Sequence, residues 1–298
     1  MNPKALKEAY DRGENITELL REATDSQQNS EEIIETAYDL QTGSYVLALD
    51  SPDMFEHKQE YGAAIAAEIS KLTSPQSILE PGVGEGTTLS LVTKALGQTP
   101  LHVHGFDISW SRIAACRHWL SGQDCAKAWL SVASIFSTPY LDNSFDVVYT
   151  SHAIEPNGGR EPAILAELYR IASQYLILLE PGYELAGKEQ RSRMERLGYC
   201  RGLAEHAEKL GMEVVRHELF EPTVNPQNPT AITVISKTPS SKTVAPTIAC
   251  PRYLTPLTES ADSLYSAESF RAYPKIKGVP CLRTEDGIIA SRFEEFEA

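Results

Sequence analysis

From residue 77 onward the chain alternates short apolar runs with amphipathic stretches, and the first alternation is punctuated by glycine: SILEPGVGEGTTLS, residues 77–90. Glycine gives up the most backbone entropy on folding. Gly82, Gly84 and Gly86 at alternate positions therefore call for a tight turn or a close backbone approach to a ligand. HVHGFDIS, AWLSVASI, FDVVYTSHA and QYLILLEP read as further strands. TTLSLVTKAL, SRIAACRHWLSG, REPAILAELYRIAS and GKEQRSRMERLGYCRGLAEHAEKLG read as the helices between them. MEVVRHELFE and PTAITVISK close the series as an antiparallel hairpin. Alternation of this length predicts an α/β fold, a doubly wound and mostly parallel seven-stranded sheet with helices on both faces.

The flanks read differently. Residues 1–60 are expected to form an N-terminal helical cap or lid, with Leu6, Ala9, Tyr10, Ile16, Leu19 and Leu20 at helical spacing in 4–23 and a shorter helix over 31–40. YDLQTGSYVLALDSPDMF, interrupted by Gly43, Pro52 and Asp53, reads as a loop crossing near a site, and HKQEYGAAIAAEISKL returns to helix. Residues 61–237 form the main domain, TPSSKTVAPT (238–247) a linker, and 248–298 a small module.

The chain's 298 residues allow one large domain or two smaller ones. A formal charge of −14 argues against a nucleic-acid partner, because phosphate backbones are held by Lys and Arg. No apolar run is long enough to span a bilayer, so no membrane partner is expected. The charged N-terminal stretch lacks the apolar core of a secretory signal, which points to the cytoplasm. Cys116, Cys125, Cys200, Cys250 and Cys281 form no CxxC pair and read as reduced thiols.

A parallel strand that ends in glycines and opens a helix leaves a nucleotide-sized notch at its carboxyl end. The spacing here is G-x-G-x-G, not the G-x-G-x-x-G of dinucleotide sites, and Glu80 and Glu85 bring negative charge. Those carboxylates suit a cationic or zwitterionic ligand better than a pyrophosphate, which disfavours a nicotinamide dehydrogenase.

LEPGVGEGT, then GFDIS with Asp107 twenty-one residues after Gly86, then LDNSFDVVYTSHAIE and YLILLEP together resemble the ordered motifs of class I S-adenosylmethionine-dependent methyltransferases. The resemblance covers residues 77 to about 180 and implies a Rossmann-like domain that uses S-adenosyl-L-methionine. Carried over by position, it implies that Glu80, Gly82, Gly84 and Gly86 line the methionine part. Asp107 holds the ribose, Ile108 packs on the adenine edge, and Ser151 lies near the methionine. Ser134 and Ile135 fall where the family has an acidic and a small residue reading the adenine amino group, and Ser134 departs from that pattern. Plainer roles stay open: a tight turn for the glycines, a helix N-cap for Asp107, and core packing for Ile108 and Ile135.

Methyl transfer requires alignment of a nucleophile and removal of its proton. His152 is the first candidate base, since imidazole titrates near neutrality, and Glu155 the second. Asn157, Glu180, Tyr183 and Glu184 add a polar, substrate-binding rim on which Arg160 is the obvious cation. Tyr38, Gln41, Tyr45 and His57 supply a lid. A rim rich in carboxylates suits hydroxyls and amines, so the expected partner is a small-molecule acceptor methylated on O or N, such as a sugar or glycan precursor. An RNA or protein methyltransferase and a non-catalytic binding protein on the same scaffold are the alternatives.

CPRYLTPL…YSAESFRAYPKIKGVPCLR resembles the small zinc-ribbon-like activator subunit of tRNA and protein methyltransferases. Cys250 keeps the first cysteine position, Tyr253 replaces the second, and Cys281 lies beyond Pro280, away from a ligand spacing. A structural zinc takes four Cys or His ligands, so no metal is expected. The module is expected to be held by Leu254, Leu257, Tyr265, Phe270, Tyr273, Ile276, Val279, Leu282, Ile288 and Ile289. The resemblance implies a docking or substrate-shaping part or a homodimer surface; a stabilising appendage is the plainer reading.

Overall fold

Strands covered on both faces can be apolar at every position, and the runs singled out above fold in that way. The computed structural model describes residues 2–26, 28–97, 102–123, 125, 127–223, 225–238 and 245–296. Strands β1 (Ser77–Pro81), β2 (His102–Asp107), β3 (Trp129–Val132), β4 (Phe145–Ser151), β5 (Ala172–Pro181), β6 (Glu213–Leu219) and β7 (Thr230–Ser236) form one seven-stranded sheet in the order β3-β2-β1-β4-β5-β7-β6. The first five pair in parallel, β7 runs antiparallel to β5, and β6 pairs antiparallel with β7. The expected mostly parallel, Rossmann-like sheet and its closing hairpin are both present. The strand order reverses between β1 and β4, which opens a crevice at their carboxyl ends.

Helices α1 (Pro3–Asp11), α2 (Ile16–Thr24), α3 (Glu31–Leu40), α4 (Ser44–Ala48) and α5 (Pro52–Leu72) precede the sheet. Helices α6 (Thr87–Leu96), α7 (Trp110–Leu120), α8 (Glu161–Ile171), α9 (Lys188–Leu197) and α10 (Leu203–Lys209) connect its strands. Alternate residues of β5 face opposite ways. Ile177 and Leu179 join a core with Ile65 of α5, Leu89 of α6 and Ile113 of α7. Leu176 and Leu178 join one with Ile164, Leu165 and Leu168 of α8. Each such side chain contributes about 1.5–3 kcal/mol by leaving water.

Local breaks differ from the periodicity. The helix expected over 4–23 is two, because Gly13 turns the chain at φ +81°. The long stretch after β5 is likewise α9 and α10, interrupted by left-handed Gly198 and Gly202. The segment read as a loop, 38–55, is instead the end of α3, all of α4 and the start of α5. Pro52 and Asp53, taken as breakers, occupy the first turn of α5, where proline is tolerated. Helix α5 also runs straight through residue 60, the expected end of the cap. Residues 239–244 of the expected linker lie outside the described residues.

The C-terminal strands β8 (Thr258–Glu259), β9 (Ser263–Ser266), β10 (Arg271–Ile276) and β11 (Val279–Pro280) form a second sheet in the order β11-β10-β9-β8, with β12 (Ile288–Ile289) also pairing with β10. This sheet docks on the β3 edge of the main one. Val132 bridges Cys281 in parallel, Leu282 N donates to Val132 O at 2.8 Å, and Ala249 N donates to Pro139 O at 2.9 Å. Cys250, Leu264, Tyr273 and Leu282 pack together against Trp129 and Ile248, while Val279 and Cys281 enter the main core. The expected set needs correction: Leu254, Phe270, Ile276, Ile288 and Ile289 are exposed.

Among the described residues no helix is long and apolar enough to cross a membrane, and no cluster of three or more His, Cys, Asp or Glu is arranged to hold a metal ion.

Gly86 is left-handed at φ +77°, and a Cβ there would lie 2.6 Å from Cys116 Sγ. Backbone strain and overpacking together predict that Gly86→Ala lowers unfolding stability by about 2–4 kcal/mol, read from the urea midpoint at unchanged m-value.

Candidate active site

A cavity of about 610 Å³ opens at the carboxyl ends of β1, β2 and β4, beneath α3, α4 and the start of α5. The glycine loop forms its floor. Gly82 and Gly84 are left-handed, and a Cβ on Gly82 would sit 2.5 Å from that of Ala153, so the turn after β1 can press against the turn after β4 only without a side chain. Gly82 and Gly84 line the cavity; Gly86 is turned into the packing around Cys116 and Leu120.

Asp107 ends β2 and fixes this floor. Its Oδ2 accepts Gly84 N at 3.0 Å and its Oδ1 accepts Ser109 N at 2.9 Å. Burial raises its pKa, opposed first by the Arg112 guanidinium. Ser109, not Asp107, provides the cap of α7 by accepting Arg112 N. Arg112 lies between two lid aromatics, 4.8 Å from the Tyr38 ring centroid and 4.7 Å from that of Tyr45, and its Nε donates to Tyr38 O at 3.0 Å. Arg112 Nη2 is buried without a hydrogen-bond partner among the described residues.

Glu80 lines the cavity at the end of β1, where burial pushes its pKa up to about 8 against the Tyr149 hydroxyl, which donates to it at 2.6 Å, and against Lys58. Glu85 is already engaged: its carboxylate accepts the backbone N–H of Gly43 at 3.0 Å, Tyr45 at 3.5 Å and Val46 at 2.8 Å, anchoring α4. It therefore stitches the lid to the glycine loop, a role the sequence reading did not give it.

At one end the cavity is walled by Ile34, Phe106, Ile108, Ala133, Ile135 and Phe136. Ser134 is turned away from it and donates to the Glu31 carboxylate, and Glu31, from the first turn of α3, lines the cavity in its place. At the other end lie Ser151, His152, Glu155, Asn157, Asn228 and Thr230. Ser151 Oγ meets the Tyr61 hydroxyl at 3.1 Å.

His152 is held in the left-handed region at φ 57°, which for a non-glycine residue is sustained only by its surroundings. Its Nδ1 lies 2.5 Å from Glu155 Oε2 and its Nε2 2.9 Å from Thr230 Oγ1. Burial works against the imidazolium, but the Glu155 carboxylate outweighs it and the His152 pKa is raised. Burial likewise works against an ionised Glu155, and His152 outweighs it, holding that carboxyl below its usual range. An ionised Glu155 places the ring proton on Nδ1 and leaves Nε2 to accept from Thr230. Asn228 Nδ2 donates to Glu155 at 3.1 Å, while its buried Oδ1 has no partner among the described residues.

The remaining rim residues stand elsewhere. Glu180 is buried off the cavity, its oxygens accepting the backbone N–H groups of Ala153, Ile154 and Glu155 at 3.0, 3.1 and 3.0 Å. It shapes the turn that presents His152 and is not placed to touch an acceptor. Tyr183 binds Glu195 at 2.5 Å and Glu184 accepts Gly202 N at 2.5 Å, both beyond the cavity wall. His57 stacks on Tyr61 behind the lining, whereas Tyr38, Gln41 and Tyr45 line it. Arg160 is also off the lining, with its Nη2 on Asn157 Oδ1 at 2.7 Å. Lys58, Tyr61, Glu31, Arg112, Asn228 and Thr230 were missed by the sequence reading. Separation in the chain from the motifs hid all but Arg112, which lies five residues after Asp107 and was read only as part of a helix.

Residues 78–174 match the family model described as a methyltransferase domain, about a third of the chain. No curated protein matches the chain. Solved structures of similar shape include an S-adenosylmethionine-dependent methyltransferase from Aquifex aeolicus (18% identity, 54% of this chain and 81% of that one, TM-score 0.41). Magnesium protoporphyrin IX methyltransferase from Synechocystis PCC 6803 with bound S-adenosylhomocysteine is another (17%, 60% and 83%, 0.46). A third is the [4+2]-cyclase SpnF (16%, 60% and 81%, 0.48). Over residues 78–174 the chain thus carries a region similar to a methyltransferase domain.

Proposed function

We propose that this chain transfers the cofactor's methyl group to an oxygen or nitrogen of a small molecule, with the His152–Glu155 pair receiving the proton. The observation that carries this reading is the continuity of one cavity from the Asp107 carboxylate, past the glycine turn, to His152 and Asn228. The cofactor fits along that path by chemistry. Asp107 takes the ribose hydroxyls, Glu80 the methionine ammonium, and Ile108, Ile135 and Phe136 the adenine faces. Glu31, presented by Ser134, accepts from the adenine amino group and replaces the acid missing at position 134.

Cavities of roughly 300–1,000 Å³ hold one drug-sized ligand, so with the cofactor in place this one leaves room for a small acceptor group. The lining beside His152 is hydroxyl and amide, Thr230, Asn225 and Asn228, which suits an incoming O–H or N–H. Glu155 orients the imidazole through Nδ1, and Nε2, shared with the Thr230 hydroxyl, takes the proton directly or through that hydroxyl. The sulfonium supplies the activation when bound; the chain aligns the acceptor and holds the proton. The carboxylates that pointed toward a sugar are largely committed, Glu180 to backbone and Glu155 to His152. A sugar thus stands level with other small alcohols and amines.

The direct test is incubation of the purified protein with methyl-labelled S-adenosylmethionine and a metabolite extract. Label in a small molecule is expected; label only in RNA or protein overturns the acceptor class. Asp107→Ala should raise the dissociation constant for S-adenosylhomocysteine by about 100-fold, the worth of two hydrogen bonds to a charged group, as read by calorimetry. An NMR titration of the His152 ring should show a pKa above 6.5, because the folded state favours the imidazolium. The stability supplied by the pair is then complete between pH 4.5 and 6.5; it is lost as pH rises through the raised His152 value and as pH falls through the lowered Glu155 value. Glu155→Gln removes the charge and should lower that pKa, since burial is then opposed only by the more distant Glu180 carboxylate.

A further inference from the structure

We propose that Arg283, supplied by the C-terminal module, is a positioning residue for the cofactor cavity, acting through α3. The inference rests on the cofactor reading above for what the cavity holds, and on geometry alone for the clamp itself.

Helix α3 is the element that carries Glu31 and Tyr38 over the cavity. Within the main domain its carboxyl end is tied down: Asp39 Oδ1 accepts Ser109 Oγ at 2.7 Å and Ser111 N at 3.2 Å. Its middle is held from outside that domain. Glu35 Oε2 lies 2.6 Å from Arg283 Nη1. Arg283 is itself fixed before it reaches Glu35. Its backbone follows Leu282, whose N–H donates to Val132 O at the edge of β3, and its own N–H donates to Asp286 Oδ2 at 3.0 Å. The Asp286 carboxylate also meets Arg283 Nε and Nη2, each at 3.3 Å. A guanidinium held on two sides loses little further freedom in gripping a third partner. The pair is partly screened, with side-chain exposures of 21% and 35%, so its effect is expected in the placement of α3 and not in global stability.

The same short stretch reaches the cavity by a second route. Val132, which receives Leu282 N–H and bridges Cys281, directly precedes Ala133, and Ala133 and Ile135 line the apolar end. Module, β3 terminus and α3 thus meet around one end of the cavity. Trp110 Nε1 donating to Ile276 O at 3.3 Å and Arg117 Nη1 to Lys277 O at 3.1 Å hold the module to α7 independently of Arg283. Loss of the clamp should therefore leave the module docked.

The test is a double-mutant cycle on the full chain, read by S-adenosylhomocysteine calorimetry and by amide exchange of residues 31–40. Arg283→Ala and Glu35→Ala should each weaken binding by roughly three- to tenfold and speed exchange across α3, with the melting temperature nearly unchanged. The double variant should be no worse than either single one, and Arg283→Lys should keep most of the affinity. Unchanged affinity and exchange in Arg283→Ala, or losses that multiply in the double variant, would overturn the clamp. If the unmodified protein binds no S-adenosylhomocysteine, the cofactor reading fails while the exchange of α3 still decides the clamp.

Discussion

One carboxylate organises the cavity. Asp107 receives a backbone N–H from the glycine turn and another from the start of α7, and it faces the guanidinium on which the lid aromatics stack. Burial makes its ionised form costly, and the two N–H groups and Arg112 offset that cost. The arrangement works only because the turn carries no side chains where it approaches β2 and β4. Glycine at 82 and 84 is thus the precondition for the electrostatics as much as for the space.

Negative charge around the cavity is largely structural. Glu85 holds α4 by three N–H groups, Glu180 holds the turn after β4 by three more, and Glu155 is spent on His152 and Asn228. Glu85 and Glu180 replace water lost from backbone donors, a need that grows with burial, while Glu155 satisfies side-chain donors. The carboxylate left facing the cavity at the end of β1 is Glu80, and burial raises it toward its neutral form. Counting acids along a rim therefore overstates the charge an acceptor meets. The accessible chemistry beside His152 is that of hydroxyls and amides, Thr230, Asn225 and Asn228, together with the Lys58 amine.

The sheet and its closing hairpin were legible because fully buried strands leave unmistakable apolar runs, and the glycine loop was legible because left-handed backbone demands its residue type. Asp107 and His152 line the cavity from the strand ends at which the sequence put them. What could not be read was anything decided by distance in sequence. Glu31 reaches Ser134 across 103 residues, and Thr230 reaches His152 across 78. No local pattern encodes either contact. The misread segment 38–55 is instructive in another way. Gly43 and Pro52 do break the chain there, but each break falls at a helix start, where a glycine or a first-turn proline is at home. The exposed Ile288 and Ile289 misled for the opposite reason, since an apolar pair in a two-residue strand cannot show from sequence that nothing packs over it.

The C-terminal module resolves a problem that the main sheet creates. Strand β3 is its terminal parallel strand and would present unpaired backbone groups at the edge nearest the apolar end of the cavity. Cys281 and Leu282 cover part of that edge, and Val279 and Cys281 enter the main core. A segment that both completes an edge and contributes to the core is coupled to the strand it covers. Its contact with Val132 lies one residue from Ala133, which lines the cavity. The module therefore lies behind β3, one strand end removed from the cavity: none of its described residues lines the cavity, but Ala133, next to the Val132 it pairs with, does.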